Sequence, residues 1–374
     1  VEIYEKNGSV LSVSNDSGYY YFYTSQNKIE ITFFSSSHHI VEEYFFIKDS
    51  LRIDKMLTPL TLTLDVVNIN AEKEAFKIKS LSDVVETSVY AGKKSEVVLL
   101  NTSGSNLASN NARQIYARVS GLNIYENDDA GLQLNIGGRG LDPNRTSNFN
   151  TRQNGYDISA DVLGYPESYY TPPSEALQEI QIIRGASSLQ YGTQFGGLIN
   201  FLIKKPNINK KLDVISRNTV GSNDLFTNFT SFSGNLHPIS YYSFINYKKG
   251  SGFRPNSDFE SNNIYSFLEW SLTPSIKFST EVTYLDYLAQ QAGGLTDDMF
   301  YQNSDQSNRS RNWFAVNWLL YNFKIRHNID INTTYTFNVF GLDASRYALG
   351  FRSNRVGQID PLNERDLIKG NFNN

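Results

Sequence analysis

Long alternating segments in the second half of the sequence restrict the fold of this chain most. In one of them Ile276, Phe278, Val282 and Tyr284 alternate with polar residues, and the segment 329–339 repeats this pattern. A period of two indicates a β-strand with one apolar and one polar face. Both segments exceed the roughly 5–6 residues usual in soluble proteins and suit the ~9–11 residues that cross a bilayer. The sequence therefore predicts strands of membrane-spanning length.

These strands are predicted to follow one another as an up-and-down meander. About seven are expected, near 212–221, 225–234, 239–249, 261–272, 275–286, 312–323 and 328–340. Their connections alternate between tight turns and long polar loops, apart from a short first loop at 221–224. Short turns on one side and long loops on the other are typical of outer-membrane β-barrels, whereas a soluble sandwich has no reason to separate its loops in this way.

The composition agrees with this interpretation. The chain has 24 Tyr, 24 Phe and 3 Trp, yet its mean hydropathy is -0.41. No apolar run is long enough to predict a transmembrane helix. A net charge of -4 gives no basic surface for nucleic acid, so no nucleic-acid partner is expected. The absence of cysteine excludes disulfides and thiolate metal sites.

The segment 175–205 carries the most specific motif. It reads EALQEIQIIRGASSLQYGTQFGGLINFLIKK, which predicts a strand, a glycine-rich crossing and a second strand. Its motif residues are Arg184, Gly185, Tyr191, Gly192, Gly196 and Gly197. Upstream, LNIGGRGLDPNR places Arg139 and Gly140 in a similar Arg-Gly pair. Before it, apolar residues recur at helical spacing over 107–119, which predicts an amphipathic helix.

These ordered landmarks resemble the plug domain of TonB-dependent outer-membrane receptors, which commonly ends "ERIEVLRG…YG…GGVINIITK". The resemblance implies a mainly β fold: a small β-sandwich, an α/β plug, and the first ~7 strands of an incomplete transmembrane β-barrel of about 22 strands. The implied domains are a sandwich at 1–60 similar to carboxypeptidase-regulatory-like domains, a linker at 61–80, a plug at 81–208 and barrel strands at 209–374. Open sheet edges are not tolerated in lipid, so we expect the chain to be a fragment that lacks a signal peptide and later strands.

The same resemblance implies active import across the outer membrane and not an enzyme. TonB, acting with ExbB and ExbD, is the implied partner, and the plug and N-terminal domain are implied to lie on the periplasmic side. The implied ligand is a ferric chelate that is cargo, so neither a cofactor nor a resident metal site is expected. The sequence also shows no nucleophile elbow, phosphate loop or zinc-ligand spacing.

TonB recruits an extended segment of such receptors as an added strand, in which backbone hydrogen bonds give affinity. The candidate TonB box consists of Leu64, Asp65, Val66, Val67, Asn68 and Ile69. The same residues also fit the last strand of the first domain. A second candidate is Asp83-Val84-Val85.

The polar loop at 142–157 is the candidate ligand contact. The predicted contacts in it are Arg145, Arg152, Gln153 and Asn154. The planar guanidinium of arginine matches carboxylates, and the flanking amides complete the hydrogen bonding. Further arginines are predicted in outer loops: Arg254, Arg309, Arg311, Arg346, Arg352 and Arg355. NIGGRGLDPN is similar to "NIGVRGLNP" of ferric dicitrate receptors, and the YGTQ that ends at Gln194 is similar to their "YGPQ". Gln194 is therefore an implied contact, and ferric citrate is the implied ligand. A loop that is merely solvated also fits the composition.

The resemblance implies another role for Arg139 and Arg184, which in the family pair with barrel carboxylates and hold the plug. Their partners are expected in later barrel strands. For the ligand, another siderophore, a cobalamin or an oligosaccharide fits the same fold. A protein of a different class, a secreted or surface β-rich adhesin, fits the aromatic strands but leaves the plug landmarks and the segregated loop lengths unexplained.

Overall fold

A computed structural model describes residues 1–6, 8–59, 78–79, 81, 84–85, 88–90, 95–100, 104–117, 119–126, 128, 130–162, 165–192, 194–353 and 355–373. The chain divides into two compact units, Val1–Ala71 and Glu72–Asn374.

The first unit is built on one antiparallel sheet. Its strands are β1 (Glu2–Glu5), β2 (Val10–Val13), β3 (Lys28–Phe34) and β4 (Val41–Phe46), in the order β2-β1-β3-β4. Ile3, Ile29, Ile31 and Phe33 are buried on one face, as the alternation of β3 requires. The described part of this unit contains this single sheet, and its relation to carboxypeptidase-regulatory-like domains stays a prediction.

The second unit begins with an inner domain that precedes residue 206. Its strands are β5 (Ile78–Lys79), β6 (Val84–Val85), β7 (Ser88–Val89), β8 (Ser95–Leu99), β9 (Leu122–Tyr125), β10 (Asn135–Gly138), β11 (Phe149–Gln153), β12 (Tyr156–Asp157), β13 (Ala160–Val162), β14 (Tyr165–Glu167), β15 (Leu177–Ile183) and β16 (Gly197–Ile203). Six of them form a sheet in the order β12-β11-β16-β15-β8-β5, in which β11 and β16 run parallel. Short 3-10 helices cover Asn144–Thr146, Ser174–Ala176 and Gly185–Tyr191.

The inner domain has one α-helix, α1 (Ala112–Ile115), within its described residues, and this is shorter than the predicted helix at 107–119. Asn111 caps α1 by accepting a hydrogen bond from the backbone N–H of Gln114. Asn110 has a positive φ of 55°, which stops a helix from extending towards the N-terminus. Its side chain instead donates to the carbonyl oxygens of Gly131 and Pro172. Loop contacts have replaced the first half of the predicted helix.

The motif glycines allow β11 and β16 to approach each other closely. A Cβ atom on Gly196 would lie 2.6 Å from the backbone oxygen of Asn148 and 2.9 Å from the ring of Phe149. Gly197 has a φ of +113°, a region that side chains rarely adopt. The sequence uses glycine here because the backbone of a neighbouring segment occupies the space of a side chain.

We expect Gly196→Ala to destabilise the inner domain by about 1–3 kcal/mol, because a methyl group would overlap the backbone at Asn148. Denaturant unfolding of the full-length protein measures this loss. Gly294→Ala is the matched control, since the nearest atom to its Cβ would be 3.7 Å away. Equal stability of the two variants would contradict the close approach.

A large antiparallel sheet follows the inner domain. Its strands are β17 (Asp213–Val220), β18 (Phe226–Leu236), β19 (Ile239–Gly250), β20 (Phe259–Ser271), β21 (Ile276–Gln290), β22 (Trp313–Asn328), β23 (Thr334–Phe351) and β24 (Leu367–Asn373), each paired with the next. Helix α2 (Asp297–Gln302) and a 3-10 turn at Glu364–Asp366 lie in the connections. The predicted meander is confirmed, with two corrections: β23 continues beyond residue 340, and β24 was not predicted.

Connection lengths in the large sheet alternate as predicted. The short-turn end has connections at 237–238, 272–275 and 329–333, whereas the other end has 221–225, 251–258, 291–312 and 352–366. We call the latter the long-connection end. Its first connection is short, which also agrees with the sequence.

The two faces of the large sheet differ in burial and composition. The face that contacts the inner domain buries polar side chains such as Asn263, Glu281 and Asn322. The opposite face exposes apolar ones, including Ile264, Val282 and Phe323. The inner face also buries many aromatic and aliphatic side chains, so it is mixed in character. A broad exposed apolar surface on the opposite side matches strands whose outer side meets lipid. No helix in the described residues is long and apolar enough to cross a membrane.

Candidate functional site

A buried carboxyl group on the large sheet receives the tip of an inner-domain hairpin. Asn154, in the turn between β11 and β12, donates from Nδ2 to Glu281 Oε2 at 2.6 Å. The Tyr265 hydroxyl donates to the same oxygen at 3.1 Å, and Asn322 Nδ2 donates to Oε1 at 3.2 Å. Glu281 is 4% exposed. These three donors satisfy a carboxyl group that burial would otherwise penalise.

Gln153 extends this contact along the same hairpin. It is fully buried, and its Nε2 donates to the hydroxyl oxygens of Tyr156 at 2.7 Å and Thr283 at 3.1 Å. Its Oε1 accepts from the Tyr170 hydroxyl at 2.8 Å. Burial raises the pKa of Tyr156 and of Tyr170 above its ordinary value. Gln153 and Asn154, predicted as ligand contacts, therefore lie where the inner domain meets the large sheet.

A second contact holds the loop that contains Asp128 and residues 130–133. Lys248 is 4% exposed, and its Nζ donates to the backbone oxygen of Ala130 at 2.9 Å. Gln133 donates from Nε2 to the Tyr287 hydroxyl. Asp128 shapes the loop by accepting from three backbone N–H groups, and burial raises its pKa. The inner domain is thus fixed to strands β19 to β22 at several separate points.

Glu175 provides a charged contact with β17. Its Oε1 lies 3.5 Å from Arg217 Nη1, and it is the one ion pair that joins the inner domain to the large sheet within the described part of the chain. Burial raises the pKa of Glu175, and the positive charge of Arg217 acts in the opposite direction. The carboxylate comes from the inner domain and the arginine from the sheet, the reverse of the expected arrangement.

Arg184 does not need a later strand for its partner. It pairs with Glu96 on β8 and donates from Nη1 to the Ser120 backbone oxygen at 2.8 Å. Burial lowers the pKa of Arg184. Pairing of Arg184 with a barrel carboxylate outside residues 1–374 stays a prediction. Arg139 is exposed in a turn with Gly140, and its role in holding the inner domain stays a prediction.

Arginines from both domains meet on one aromatic ring near the long-connection end. The Arg346 guanidinium lies 5.1 Å from the centroid of the Tyr169 ring and donates to its hydroxyl. Arg145 lies 6.0 Å from the same centroid. Arg346 also stacks on Phe372 at 4.2 Å. We call Arg145, Tyr169 and Arg346 the arginine cluster.

The ring at the centre of the cluster is rigidly held. Tyr169 is 3% exposed and packs on Phe314 at 5.3 Å and on Trp318 at 6.0 Å between ring centroids. Tight aromatic packing fixes its position, and cation–π attraction then orients the two guanidinium groups. The cluster therefore presents two positive groups from a preorganised support.

The backbone at Arg145 is strained. Arg145 and Thr146 have φ values of 57° and 55°, in the left-handed region that side chains seldom adopt. A hydrogen bond of 2.9 Å from the Arg145 N–H to Asn135 Oδ1 holds the turn. Two such residues cost on the order of 1–3 kcal/mol each, and strain of this kind concentrates at functional sites.

Arg152 lies in a different environment from Arg145. Its guanidinium stacks on Tyr191 at 4.6 Å and donates to Asn150 Oδ1 at 2.8 Å and to the Gly155 oxygen at 2.7 Å. Asp157 lies 3.9 Å away. Burial lowers the pKa of Arg152, although Asp157 favours its charge. All of these contacts are within the inner domain, and binding of ligand by Arg152 stays a prediction.

Gln194 belongs to a segment that runs beside the loop of Arg145. The backbone N–H of Gly196 donates to the Asn148 oxygen at 2.7 Å. Phe195, which separates Gln194 from Gly196 in the sequence, is 83% exposed. Gln194 is half-buried. The structure thus brings the segments of Arg145 and Gln194 together, and separates them from the Gln153–Asn154 hairpin tip.

Three of the six predicted loop arginines bind the long connections to one another. Arg311 forms a two-point pair with Asp360 at 2.8 and 2.6 Å, and this pairing lowers the pKa of Asp360. Arg309 is 6% exposed and donates to the Gln358 oxygen, while Arg254 donates to the Gln306 oxygen. Arg346 lies in β23 and not in a loop. Arg352 and Arg355 are exposed.

The TonB-box candidate 64–69 lies outside the described residues, as does Asp83 of the second candidate. Val84 and Val85 of that candidate pair with Ser88–Val89 in a two-stranded sheet. Among the side chains that the structure describes, no group of three or more His, Cys, Asp or Glu residues is arranged to hold a metal ion.

The sequence patterns did not predict the roles of Tyr169, Glu175 and Glu281. A signal existed for Glu281, because a carboxyl group in the middle of a membrane-spanning strand is expensive and marks a specific contact. Tyr169 and Glu175 had no comparable signal, since their roles depend on how the inner domain docks.

The inner domain is a small domain held against one face of a long-stranded sheet. Comparison of the chain with known protein families agrees with this arrangement. Residues 101–198 match the TonB-dependent Receptor Plug Domain. The inner domain is therefore a plug domain, and the large sheet resembles the barrel of such receptors. The predicted fold class, mainly β with a plug and part of a barrel, is confirmed.

Solved structures show the same fold. The chain is similar to the ferric citrate transporter FecA, with 19% identity and a TM-score of 0.57 over 70% of this chain and 41% of that one. It is also similar to the ferric enterobactin receptor PfeA of Pseudomonas aeruginosa, with 16% identity and a TM-score of 0.51 over 76% and 46%. The siderophore receptor PirA of Acinetobacter baumannii is similar as well, with 16% identity and a TM-score of 0.51 over 75% of this chain and 44% of that one. The chain spans less than half the length of each.

Proposed function

We propose that this chain is part of a TonB-dependent outer-membrane receptor that imports a ferric chelate, with ferric citrate as the first candidate. The observation that carries the proposal is the arginine cluster, in which Arg145 of the plug and Arg346 of the sheet share the Tyr169 ring. A ligand bound there would touch both the plug and the barrel wall, as an importer requires.

The chemistry of the cluster favours an anionic ligand. Guanidinium groups bind carboxylates through paired, charge-assisted hydrogen bonds, and these are stronger than neutral ones. Citrate is rich in carboxylates, so a ferric citrate complex offers acceptors to both arginines at once. Gln194, beside the Arg145 loop, would add a neutral donor. A neutral oligosaccharide would need exposed aromatic platforms and carboxylates more than paired arginines.

In this proposal the plug closes the barrel lumen from the periplasmic side until TonB acts. TonB would recruit residues 64–69 as an added strand and transmit energy from the proton gradient through ExbB and ExbD. The buried contacts of Gln153, Asn154 and Glu175 with the wall would keep the plug closed between transport events. No cofactor enters this scheme, because the ferric chelate is the cargo.

Binding of ferric citrate to purified full-length protein, with cell fractionation of the same material, tests the proposal. We expect saturable binding and recovery of the protein in the outer membrane. If the protein bound another ferric chelate and not ferric citrate, the proposed ligand would be wrong, but the proposed receptor function would stand. Protein found free in the medium would contradict import and favour an adhesin.

Deletion of residues 64–69 is expected to abolish uptake and leave ferric citrate binding unchanged, because the arginine cluster is formed by other segments. Uptake of radioactive iron and equilibrium binding measure the two effects. Deletion of the same number of residues at 70–75 is the control for linker length. Uptake that survives the first deletion would place the TonB box elsewhere, for example at 83–85.

A further inference from the structure

A cavity of about 380 Å³ lies between the plug and the first strands of the sheet, at the short-turn end. Lys204 and Lys205, which follow β16, line it on the plug side. Ile215 on β17, Ser233 on β18 and Tyr242 on β19 line it on the wall side. Its volume falls within the range of about 300–1,000 Å³ that is typical of small-ligand sites.

The cavity carries a positive charge. Lys204 and Lys205 contribute two cations, and Asp213 is the one acid that lines it. The Asp213 carboxylate is already neutralised by Lys210 Nζ at 2.7 Å and accepts from Asn207 Nδ2 at 3.0 Å. The two lysines therefore dominate the potential inside the cavity.

Hydrogen-bond donors accompany the lysines. Tyr242 is 3% exposed, and its hydroxyl lies near Ser231 without making a hydrogen bond of good geometry to any described residue. A buried hydroxyl without a partner is costly, and an anion in the cavity would satisfy it. Gln178 and Asn207 add amide groups to the lining.

One plug segment links the cavity to the wall. Lys204 Nζ donates to the backbone oxygen of Glu175 at 2.6 Å, and the Glu175 carboxylate pairs with Arg217 on β17. A shift of the plug backbone at Glu175 would therefore move Lys204 and would also break the ion pair between Glu175 and Arg217. The positive lining is thus coupled to the contact that keeps the plug against the wall.

We propose that this cavity is a second anion-binding site, which takes the carboxylate-rich chelate after it leaves the arginine cluster. The inference rests on the proposed import function. The cluster lies towards the long-connection end and the cavity at the short-turn end, so the two sites mark the beginning and the end of one passage along the plug. Clefts lined by one sign of charge concentrate ions of the other sign.

Residues 1–374 contain no cysteine, so a single introduced thiol allows a direct test of the cavity once any cysteine elsewhere in the full-length protein is replaced by serine. Ile215→Cys, in the full-length protein, places one thiol in the lining without removing a hydrogen bond. Its reaction rates with an anionic and a cationic methanethiosulfonate reagent report the local potential. We expect the anionic reagent to react faster by roughly ten-fold, and this preference to vanish when Lys204 and Lys205 are both glutamine. Lys205→Gln alone, which leaves the Glu175 contact intact, should reduce it.

Lys211→Gln is the matched control, because Lys211 is exposed and does not line the cavity. It should leave the ratio of the two rates unchanged. Equal rates with both reagents in the Ile215→Cys protein would overturn the proposal. The two reaction rates are measured without ferric citrate. They therefore test whether the cavity attracts anions independently of whether the protein imports ferric citrate.

The role in transport has its own readout. Lys205→Gln should retain ferric citrate binding at the arginine cluster and lower iron uptake several-fold. Unchanged uptake would overturn a role in passage. Loss of binding would show that the two sites are one and would also overturn the proposal.

Discussion

Glu281→Ala is expected to weaken the attachment of the plug to the barrel wall by about 3–5 kcal/mol. Removal of the carboxyl group leaves the donors of Asn154, Tyr265 and Asn322 without their acceptor in a buried place. Each unsatisfied buried group costs about 1–3 kcal/mol, so the three orphaned donors together account for about 3–5 kcal/mol. Urea unfolding of the full-length protein in detergent, with limited proteolysis of the hairpin at 153–156, measures the effect.

The control for Glu281→Ala is Glu260→Ala. Glu260 is an exposed acid on neighbouring β20 that accepts one hydrogen bond from the Tyr247 hydroxyl. Its loss should change stability by no more than about 0.5 kcal/mol, as for most surface substitutions. A double-mutant cycle with Asn154→Ala isolates the contact between plug and wall. Equal stability of the two single variants would show that Glu281 does not anchor the plug.

Arg145→Ala and Arg346→Ala are each expected to weaken ferric citrate binding by roughly 10- to 100-fold. A hydrogen bond between charged groups contributes about 1.5–3 kcal/mol, and each 1.4 kcal/mol is a factor of about ten in affinity. The double variant should lose more than either single one, because the two arginines approach the ligand from different domains. Equilibrium binding to full-length protein gives these values.

Arg113→Ala is the matched control for the arginine cluster. Arg113 is a plug arginine whose side chain is 64% exposed and pairs with Glu126 at 3.4 Å. Its removal should leave affinity unchanged. Because Arg346 also supports Tyr169, the unfolding midpoint of each variant must be measured beside its affinity. Normal folding with unaltered affinity in both cluster variants would exclude the cluster as the ligand site.

The sheet was predictable because its strands alternate over many residues, and the exceptions have local causes. The prediction ended β23 at residue 340 and treated everything after Gly341 as a long polar connection. In the structure Gly341 is paired with Tyr321 across the strands, and a Cβ atom there would overlap the Tyr321 ring. The glycine accommodates an aromatic neighbour and does not end the strand. Strand β24, LIKGNFN, is short and contains a glycine, which weakens its pattern.

The candidate site was only partly predictable, because it depends on contacts between distant segments. Arg145 was recognised from the composition of its loop. Its relation to Tyr169 and Arg346 arises from the docking of the plug on the sheet, which no local pattern encodes. Gln153 and Asn154 lie in the same polar loop, yet the hairpin turns them towards Thr283 and Glu281. Polar composition indicates a contact but not which surface receives it.

Uptake of radioactive iron supplied as ferric citrate tests whether the full-length protein is a TonB-driven importer of this chelate. The comparison is between cells with and without TonB that carry the full-length protein as their one route for this ligand. We expect uptake that requires TonB, with surface binding equal in both strains. Equal uptake in the two strains, or binding in neither, would contradict it.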